Sequence, residues 1–334
     1  MEFNPDTVRH EMVDFWALVT NPVAIVKFFH SVSSGWMTGA IFVIGVSAWY
    51  LLKRRDVRFA LASIRVAAVV GILGTGILMF SGDHSGVLVA KYQPMKMAAA
   101  EGLEKGGECV PLSLVPGVEV PGMLSILATH DIDGCVPGIE DLLNGYTDHN
   151  GVSHISAKEK MERGKLALNA FKEYRTLKDT DPAKAAEARR VLDENVDYFG
   201  YGYIDQPEEL IPNVPLIYWS FRVMVGLGCF LLLLMIVVLW AERKGKLEKM
   251  TWLQRVALWS IPLVYLAGQA GWIVAEVGRQ PWVIQGLLPT KAAVSSVSVG
   301  AVQTTFFLFV AIFTLFLAVE VRIMIKAIKK GPEI

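Results

Sequence analysis

The chain contains little charge for its length and no excess of either sign. Only 19% of its 334 residues are charged, and 32 basic residues balance 32 acidic ones. Soluble domains typically carry about 25% charged residues, and nucleic-acid-binding domains are usually basic. Three cysteines are too few for a disulfide-stapled scaffold. Residues 1–20 lack an uninterrupted apolar core, so we expect an amphipathic lead-in there and no cleavable signal peptide.

The apolar residues, 53% of the chain, are concentrated in five long runs: 22–52, 59–81, 215–240, 252–277 and 301–325. Each run reaches the roughly 20 helical residues that cross a bilayer. Within lipid the backbone must satisfy its own hydrogen bonds, so the runs predict helices. The expected fold is therefore an all-α integral membrane protein. It is divided into a lead-in, two spans over 21–81, a polar lobe over 82–213 and three spans over 214–334.

Basic clusters predict the orientation in the membrane. They occupy 53–58, 243–249 and 326–330, which lie on one side if the spans alternate. The positive-inside bias makes that side cytoplasmic and the lobe over 82–213 extracytoplasmic. We expect a multi-pass protein of a bacterial or archaeal cytoplasmic (inner) membrane.

The polar lobe has its own helical patterns, over 157–178 and 182–197. Asp181 is the predicted N-cap of the second helix and Pro182 its first residue. Cys109 and Cys135 both fall in this lobe. On an oxidising side of the membrane they either form a disulfide or remain two thiols, and the sequence favours neither alternative.

Ionisable residues inside the spans are costly and therefore indicate function. His30 and Met224 fall at similar depths, roughly 12–14 Å from the outer ends of two spans, and Glu276 lies near the outer end of a third. A His/Met pair is an established axial ligand set for low-spin haem, and Arg222 and Arg279 are placed to bind haem propionates. Alternatively, the histidine bonds a neighbouring helix, the methionine is packing, and Glu276 and Arg279 form a structural ion pair.

Four motifs carry a resemblance to a known family. They are GWIVAEVGRQPW over 271–282 with LPT over 288–290, NPVAIVKFFH over 21–30, FRVMVG over 221–226, and GDHSG over 82–86 followed by QPMK over 93–96 and Glu101. Along the chain the four motifs follow one another in the family's order, and together they resemble the C-terminal part of cytochrome bd-type quinol oxidase subunit I, corresponding to its spans five to nine.

The resemblance implies cofactors and residue roles. His30 and Met224 would ligate a low-spin haem b, and Glu276 would ligate a high-spin haem, with haem b and/or haem d near it. Trp272 would lie between haems, while Arg222 and Arg279 would hold propionates or tune the carboxylate. Lys96 and Glu101 match loop residues associated with quinol oxidation, as a hydrogen-bond donor and a proton acceptor. Without the surrounding motif they would be an ordinary solvated charge pair.

The resemblance also implies missing parts. The family's first four spans have no counterpart here, so we expect a separate chain to supply them, together with the other high-spin haem ligand, and subunit II to complete the complex. The expected function is the haem-binding part of a split subunit that oxidises quinol at the outer face, with oxygen reduced to water alongside the partner chain. The alternatives are a quinol:acceptor electron-transfer subunit without an oxygen-reducing site, or a paralogue without cofactors.

Overall fold

The computed structural model describes residues 2–5, 9–115, 117–148 and 150–332, and these are mostly helical. The helices are α1 (Phe15–Val19), α2 (Pro22–Leu52), α3 (Val57–Tyr92), α4 (Pro94–Glu101), α5 (Met123–Thr129), α6 (Ile139–Asn144), α7 (Ala157–Leu177), α8 (Pro182–Asn195), α9 (Val214–Arg243), α10 (Thr251–Val277) and α11 (Val299–Lys330). The strands are β1 (Glu2–Asn4), β2 (Arg9–Glu11), β3 (Leu112–Val115), β4 (Val118–Val120), β5 (Tyr146–Thr147), β6 (Ser153–His154), β7 (Trp282–Ile284) and β8 (Leu288–Pro289), and consecutive strands pair as four antiparallel ribbons.

Five helices of the described chain are long and apolar enough to cross a membrane: α2, α3, α9, α10 and α11. The predicted all-α membrane fold is thus confirmed. The largest difference in length is at α3, which continues past the predicted end of its span at residue 81 as far as Tyr92. Hydropathy falls at Asp83 and His84, but polar residues do not end a helix once it has left the lipid. The GDHSG segment over 82–86, which the resemblance places at the start of the quinol-binding loop, is therefore helical.

The chain forms two compact units. The first comprises Met1–Met37, Leu73–Phe230 and Leu263–Ala293, and the second comprises Thr38–Ile72, Leu231–Pro262 and Val294–Ile334. Every site residue predicted from the sequence belongs to the first unit.

Within the first unit, the polar lobe packs α7 against α8 and the 3₁₀ helix Val196–Tyr203. Asp181 accepts a hydrogen bond from the Lys184 amide and Pro182 begins α8, as predicted. The core beneath α7 consists of Ala157, Met161, Ile204, Leu210 and Trp282. Trp282 follows α10 in the chain, so this core joins the lobe to the segment after the fourth span.

Two other expectations concern the N-terminal residues and the cysteines of the lobe. Instead of an amphipathic lead-in alone, the described N-terminal residues form the β1–β2 ribbon and then α1, which Asp14 caps through the amides of Trp16 and Ala17. In the lobe, Cys109 and Cys135 are unpaired, and the Cys109 thiol donates to Asp133 Oδ1 at 3.3 Å.

The second unit contains the remaining parts of α2, α3, α9 and α10 and the whole of α11. Arg65 of α3 donates to both carboxylate oxygens of Glu242, whose side chain is only 2% exposed. Tyr50 donates to the Ile328 carbonyl at 2.6 Å, and Arg55 donates to the Lys329 carbonyl at 2.6 Å. The bonds from Tyr50 and Arg55 hold the last turn of α11, a helix with no buried residue.

Candidate functional site

His30 is half-buried on α2 and faces the C-terminal half of α3. Its Nδ1 lies 3.3 Å from Ser81 Oγ. Gly82 is the next residue of α3, and a Cβ built there would lie 3.4 Å from His30 Cε1. The ring is therefore held against α3 through its Nδ1–Cε1 edge, which leaves Nε2 as the nitrogen for a metal.

Met224 on α9 is packed against α10 at Gly271. A Cβ at position 271 would come within 2.8 Å of the Met224 sulfur, closer than real Cβ contacts allow. Glycine is thus required for the thioether to lie at this point of α10. The neighbouring Trp272 is 64% exposed, so its indole projects away from the packed interior of the chain.

Glu276 lies on the last turn of α10, and its carboxylate pairs with the Arg279 guanidinium. Both side chains are about one-third exposed, at 36% and 37%. The ion-pair alternative considered for these two residues is therefore present in the structure. It leaves part of the carboxylate accessible, and it leaves the buried Nε of Arg279 without a hydrogen-bond partner among the described residues.

Arg222 uses most of its guanidinium to bind the lobe. Nη1 donates to the Ala100 carbonyl at 2.8 Å, and Nη2 donates to Glu101 Oε2 at 3.2 Å and to the Ser113 carbonyl. The guanidinium carbon also lies 3.4 Å from the centre of the Tyr218 ring, a close cation–π contact. Only the buried Nε has no partner among the described residues, so Arg222 has less capacity for a propionate than the sequence suggested.

Lys96 reaches from α4 to the end of α10. Its ammonium donates to the Ala275 carbonyl at 3.1 Å. Its aliphatic stem lies over Gly278, where an added Cβ would come within 3.0 Å of Lys96 Cγ. Burial, followed by the nearby charges of Lys27 and Arg279, lowers the pKa of Lys96 to about 8, against the opposing charge of Glu276. Lys96 thus releases its proton more readily than a solvated lysine, and it is bonded to Ala275, the residue before Glu276.

Glu101 is buried at the other end of α4, and its side chain is only 4% exposed. Burial raises the pKa of its carboxyl, and the charge and hydrogen bond of Arg222 oppose that rise. Five helical residues correspond to a rotation of about 140° between side chains. Lys96 and Glu101 therefore contact different helices, α10 and α9, and the predicted donor–acceptor pair is divided between two partners.

The residues of this region fit a haem group in three respects. His30 presents Nε2, and Arg222 and Arg279 each retain a buried N–H without a partner among the described residues. Several helical glycines border open space, since a Cβ there would meet nothing within 4 Å: Gly35, Gly76, Gly226 and Gly268. A flat macrocycle needs such small residues to approach helix backbones, and buried N–H groups suit its carboxylates.

Two contacting residues were not singled out from the sequence. Tyr218 lies four positions before Arg222, a spacing at which helical side chains meet, so the cation–π pair was accessible to sequence reasoning. Ser81 lies 51 positions from His30, and no local signal indicates that contact.

Comparisons with known proteins agree with the motifs. The family model for cytochrome bd terminal oxidase subunit I matches residues 1–332. The cytochrome bd-II ubiquinol oxidase subunit 1 of Escherichia coli K12 is 35% identical over 359 aligned residues, covering 99% of this chain and 67% of that protein. The cytochrome bd ubiquinol oxidase subunit 1 of Bacillus subtilis 168 is 33% identical over 341 aligned residues, covering 97% of this chain and 60% of that protein.

A solved structure shows the same fold. The bd oxidase of Geobacillus thermodenitrificans superposes with a TM-score of 0.67 at 22% identity, over 96% of this chain and 61% of that one. The chain thus spans between 60% and 67% of the length of these relatives. Because the family model matches nearly every residue, and one relative is 35% identical over two-thirds of its own length, the chain belongs to the cytochrome bd terminal oxidase subunit I family.

Proposed function

We propose that this chain is the haem-binding part of a split cytochrome bd-type oxidase subunit I. It would oxidise quinol at the outer membrane face and pass electrons through a low-spin haem b to a high-spin haem pair. Oxygen would be reduced to water in a complex with a partner chain. The E. coli and B. subtilis relatives are named as ubiquinol oxidases, which supports this class of reaction.

One observation carries the proposal. Helix α4, which bears the two candidate quinol-oxidation residues, is bonded to both helices that bear candidate haem ligands. Glu101 pairs with Arg222, two residues from Met224 on α9, and Lys96 bonds Ala275, next to Glu276 on α10. A quinol held at α4 would therefore lie beside the residues that would hold the electron-accepting haems.

The residues of α4 are suited to the proton chemistry of quinol oxidation. The raised pKa of Glu101 makes its carboxylate a better proton acceptor than a solvated one, because general-base efficiency increases as the pKa approaches the operating pH. The Lys96 ammonium provides a hydrogen-bond donor, and its pKa of about 8 lets it share in proton release.

His30 and Met224 would hold the low-spin haem b, and Glu276 would hold one high-spin haem, of b or d type. The bound haems supply the one-electron carriers and the oxygen chemistry that side chains lack. The open space beside Trp272 would place its indole against a haem. Arg279 would orient the Glu276 carboxylate, and its free Nε would meet a propionate.

A separate chain would supply the four missing helices and the other high-spin haem ligand, and subunit II would complete the complex. The absence of any buried residue on α11 supports further packing within the membrane. Purification of the tagged chain from its native membrane should recover a four-helix membrane protein in equal amount. Recovery of the chain alone, with its haems complete, would refute this part of the proposal.

The haem assignment is tested by His30→Ala and Met224→Ala in the membrane complex. Each should abolish the low-spin b-haem band in the reduced-minus-oxidised spectrum. Matched controls are His84→Ala and Met79→Ala, since neither side chain has been placed at the haem. An unchanged spectrum in the His30 or Met224 variant would contradict the ligand assignment.

Haem counting and oxygen uptake separate the oxidase from the alternative electron-transfer subunit. The oxidase should contain three haems per complex and consume oxygen with a quinol donor. A quinol:acceptor subunit would keep the His30-dependent haem yet show no oxygen uptake in any purified assembly.

A further inference from the structure

Ser81 is the side chain of α3 that meets the imidazole of His30. The separation of 3.3 Å between Ser81 Oγ and His30 Nδ1 is within hydrogen-bonding range, and Ser81 is only 5% exposed. The contact joins two spanning helices 51 residues apart in sequence. His30 ends one of the motifs that carry the family resemblance, whereas Ser81 lies outside all four of them.

The direction of this hydrogen bond follows from the other partner of Ser81. Its hydroxyl donates to the Leu78 carbonyl at 3.1 Å, one turn earlier on α3. A hydroxyl has one proton and two lone pairs. With its proton directed to Leu78, Ser81 Oγ accepts from His30, and the imidazole also bonds the Leu78 backbone. This arrangement matches the tautomer with the proton on Nδ1, which keeps the lone pair of Nε2.

That tautomer is the one required for coordination through Nε2. A ligating histidine generally donates its other ring N–H to an acceptor, which fixes the ring plane and makes the metal-binding nitrogen more basic. The adjacent Gly82 has no side chain, so the Cε1 edge of the His30 ring packs directly against the backbone of α3.

We propose that Ser81 is a positioning residue for the low-spin haem: it fixes the tautomer and ring plane of His30 and, through them, lowers the reduction potential of the iron that His30 would hold. The inference rests on the proposed function, because it requires His30 to be an axial ligand. An imidazole whose N–H is hydrogen-bonded donates more electron density, which favours the ferric form.

The test compares Ser81→Ala with Ser81→Thr in the purified, haem-loaded membrane complex. The alanine variant removes the acceptor and should shift the midpoint potential of the low-spin haem upward, with an altered low-spin electron paramagnetic resonance signal. The threonine variant keeps a hydroxyl on Cβ and should restore both properties towards the unsubstituted protein. Ser34→Ala is the matched control, since Ser34 lies one turn from His30 on α2 and donates to the Ser31 carbonyl.

The outcomes are separable. If the unsubstituted protein has no His30-dependent low-spin haem, the proposed function fails. If that haem is present at full occupancy and Ser81→Ala leaves its potential and resonance signal unchanged, the role of Ser81 is overturned while the ligand assignment stands. Equal shifts in Ser81→Ala and Ser34→Ala would also overturn it, because they would indicate general loosening of α2.

Discussion

Removal of the Arg222 guanidinium should destabilise the protein through the charge that it leaves behind. Arg222→Met keeps an unbranched apolar stem and deletes the bonds to Ala100, Glu101 and Ser113. The side chains of Arg222 and Glu101 are only 11% and 4% exposed, so the carboxylate would remain buried without its counter-charge. Breaking a buried pair from one side typically lowers the free energy of unfolding by about 3–5 kcal/mol.

The cost should depend on whether Glu101 is charged. In Glu101→Gln the amide oxygen still accepts from Arg222, so we expect that single change to lower the free energy of unfolding by about 1 kcal/mol. Adding Arg222→Met to Glu101→Gln should then lower the free energy of unfolding by less than Arg222→Met does in the native background. The difference is the coupling energy of the pair, expected at roughly 0.5–3 kcal/mol. The assay is denaturant-induced unfolding of the detergent-solubilised protein, with all four members of the cycle compared.

The pH dependence supplies a second readout of the same cycle. Burial raises the pKa of Glu101 in the folded state, so the unfolded state ionises first, and the stability falls as the pH rises from the unfolded to the folded pKa of this carboxyl. Arg222→Met removes the opposing positive charge and raises this pKa further. The variant should therefore recover stability at acid pH, where Glu101 is protonated in both the folded and the unfolded state.

Arg190→Met is the control for loss of a surface pair. Arg190 and Glu187 are 65% and 62% exposed on α8, and a pair this exposed contributes little to stability. The reasoning would be refuted if Arg222→Met cost the same amount in the native and Glu101→Gln backgrounds, or no more than Arg190→Met.

Three further predictions concern other parts of the chain. The pKa of Lys96 is lowered to about 8 in the folded state, so the unfolded state holds this proton to higher pH. The native protein should therefore gain about 1–2 kcal/mol of stability relative to Lys96→Met, after solvent screening, as the pH rises from about 8 to 10.5. Denaturant-induced unfolding at several pH values measures this difference. Cys109 and Cys135 should both react with maleimide without prior reduction, because both are free thiols. Burial raises the pKa of the Cys135 thiol, so the reaction should be faster at higher pH. Mass spectrometry counts the labels, and blocked thiols would indicate a disulfide. Arg65→Met should lower the melting temperature more than Glu242→Gln, because it leaves the buried Glu242 carboxylate unpaired; the reverse order would refute this reading of the pair.

The five spans were predictable because hydropathy and length report directly on lipid burial. The N-cap at Asp181 was predictable because it depends on residues within one helical turn. The continuation of α3 to Tyr92 was not, since outside the membrane hydropathy no longer distinguishes helix from loop. The partners of Arg222 were also missed: its position suggested a propionate, whereas the contacts with Ala100 and Ser113 depend on how the loop folds back.

The spacing of Lys96 and Glu101 explains how one short helix can serve both candidate haem helices. A separation of four residues would place both side chains on one face of α4, where they could pair with each other or contact a single neighbour. A separation of five turns the second side chain away, so that Lys96 bonds the end of α10 and Glu101 bonds Arg222 of α9. The close approach of the Lys96 stem to Gly278 and the burial of Ala98 and Ala99 keep α4 against these helices, because a larger residue at any of these positions would push it away. If quinol binding displaced α4, the contacts with Arg222 and with Ala275 would therefore change together. Arg222 lies two residues from Met224, and Ala275 is next to Glu276.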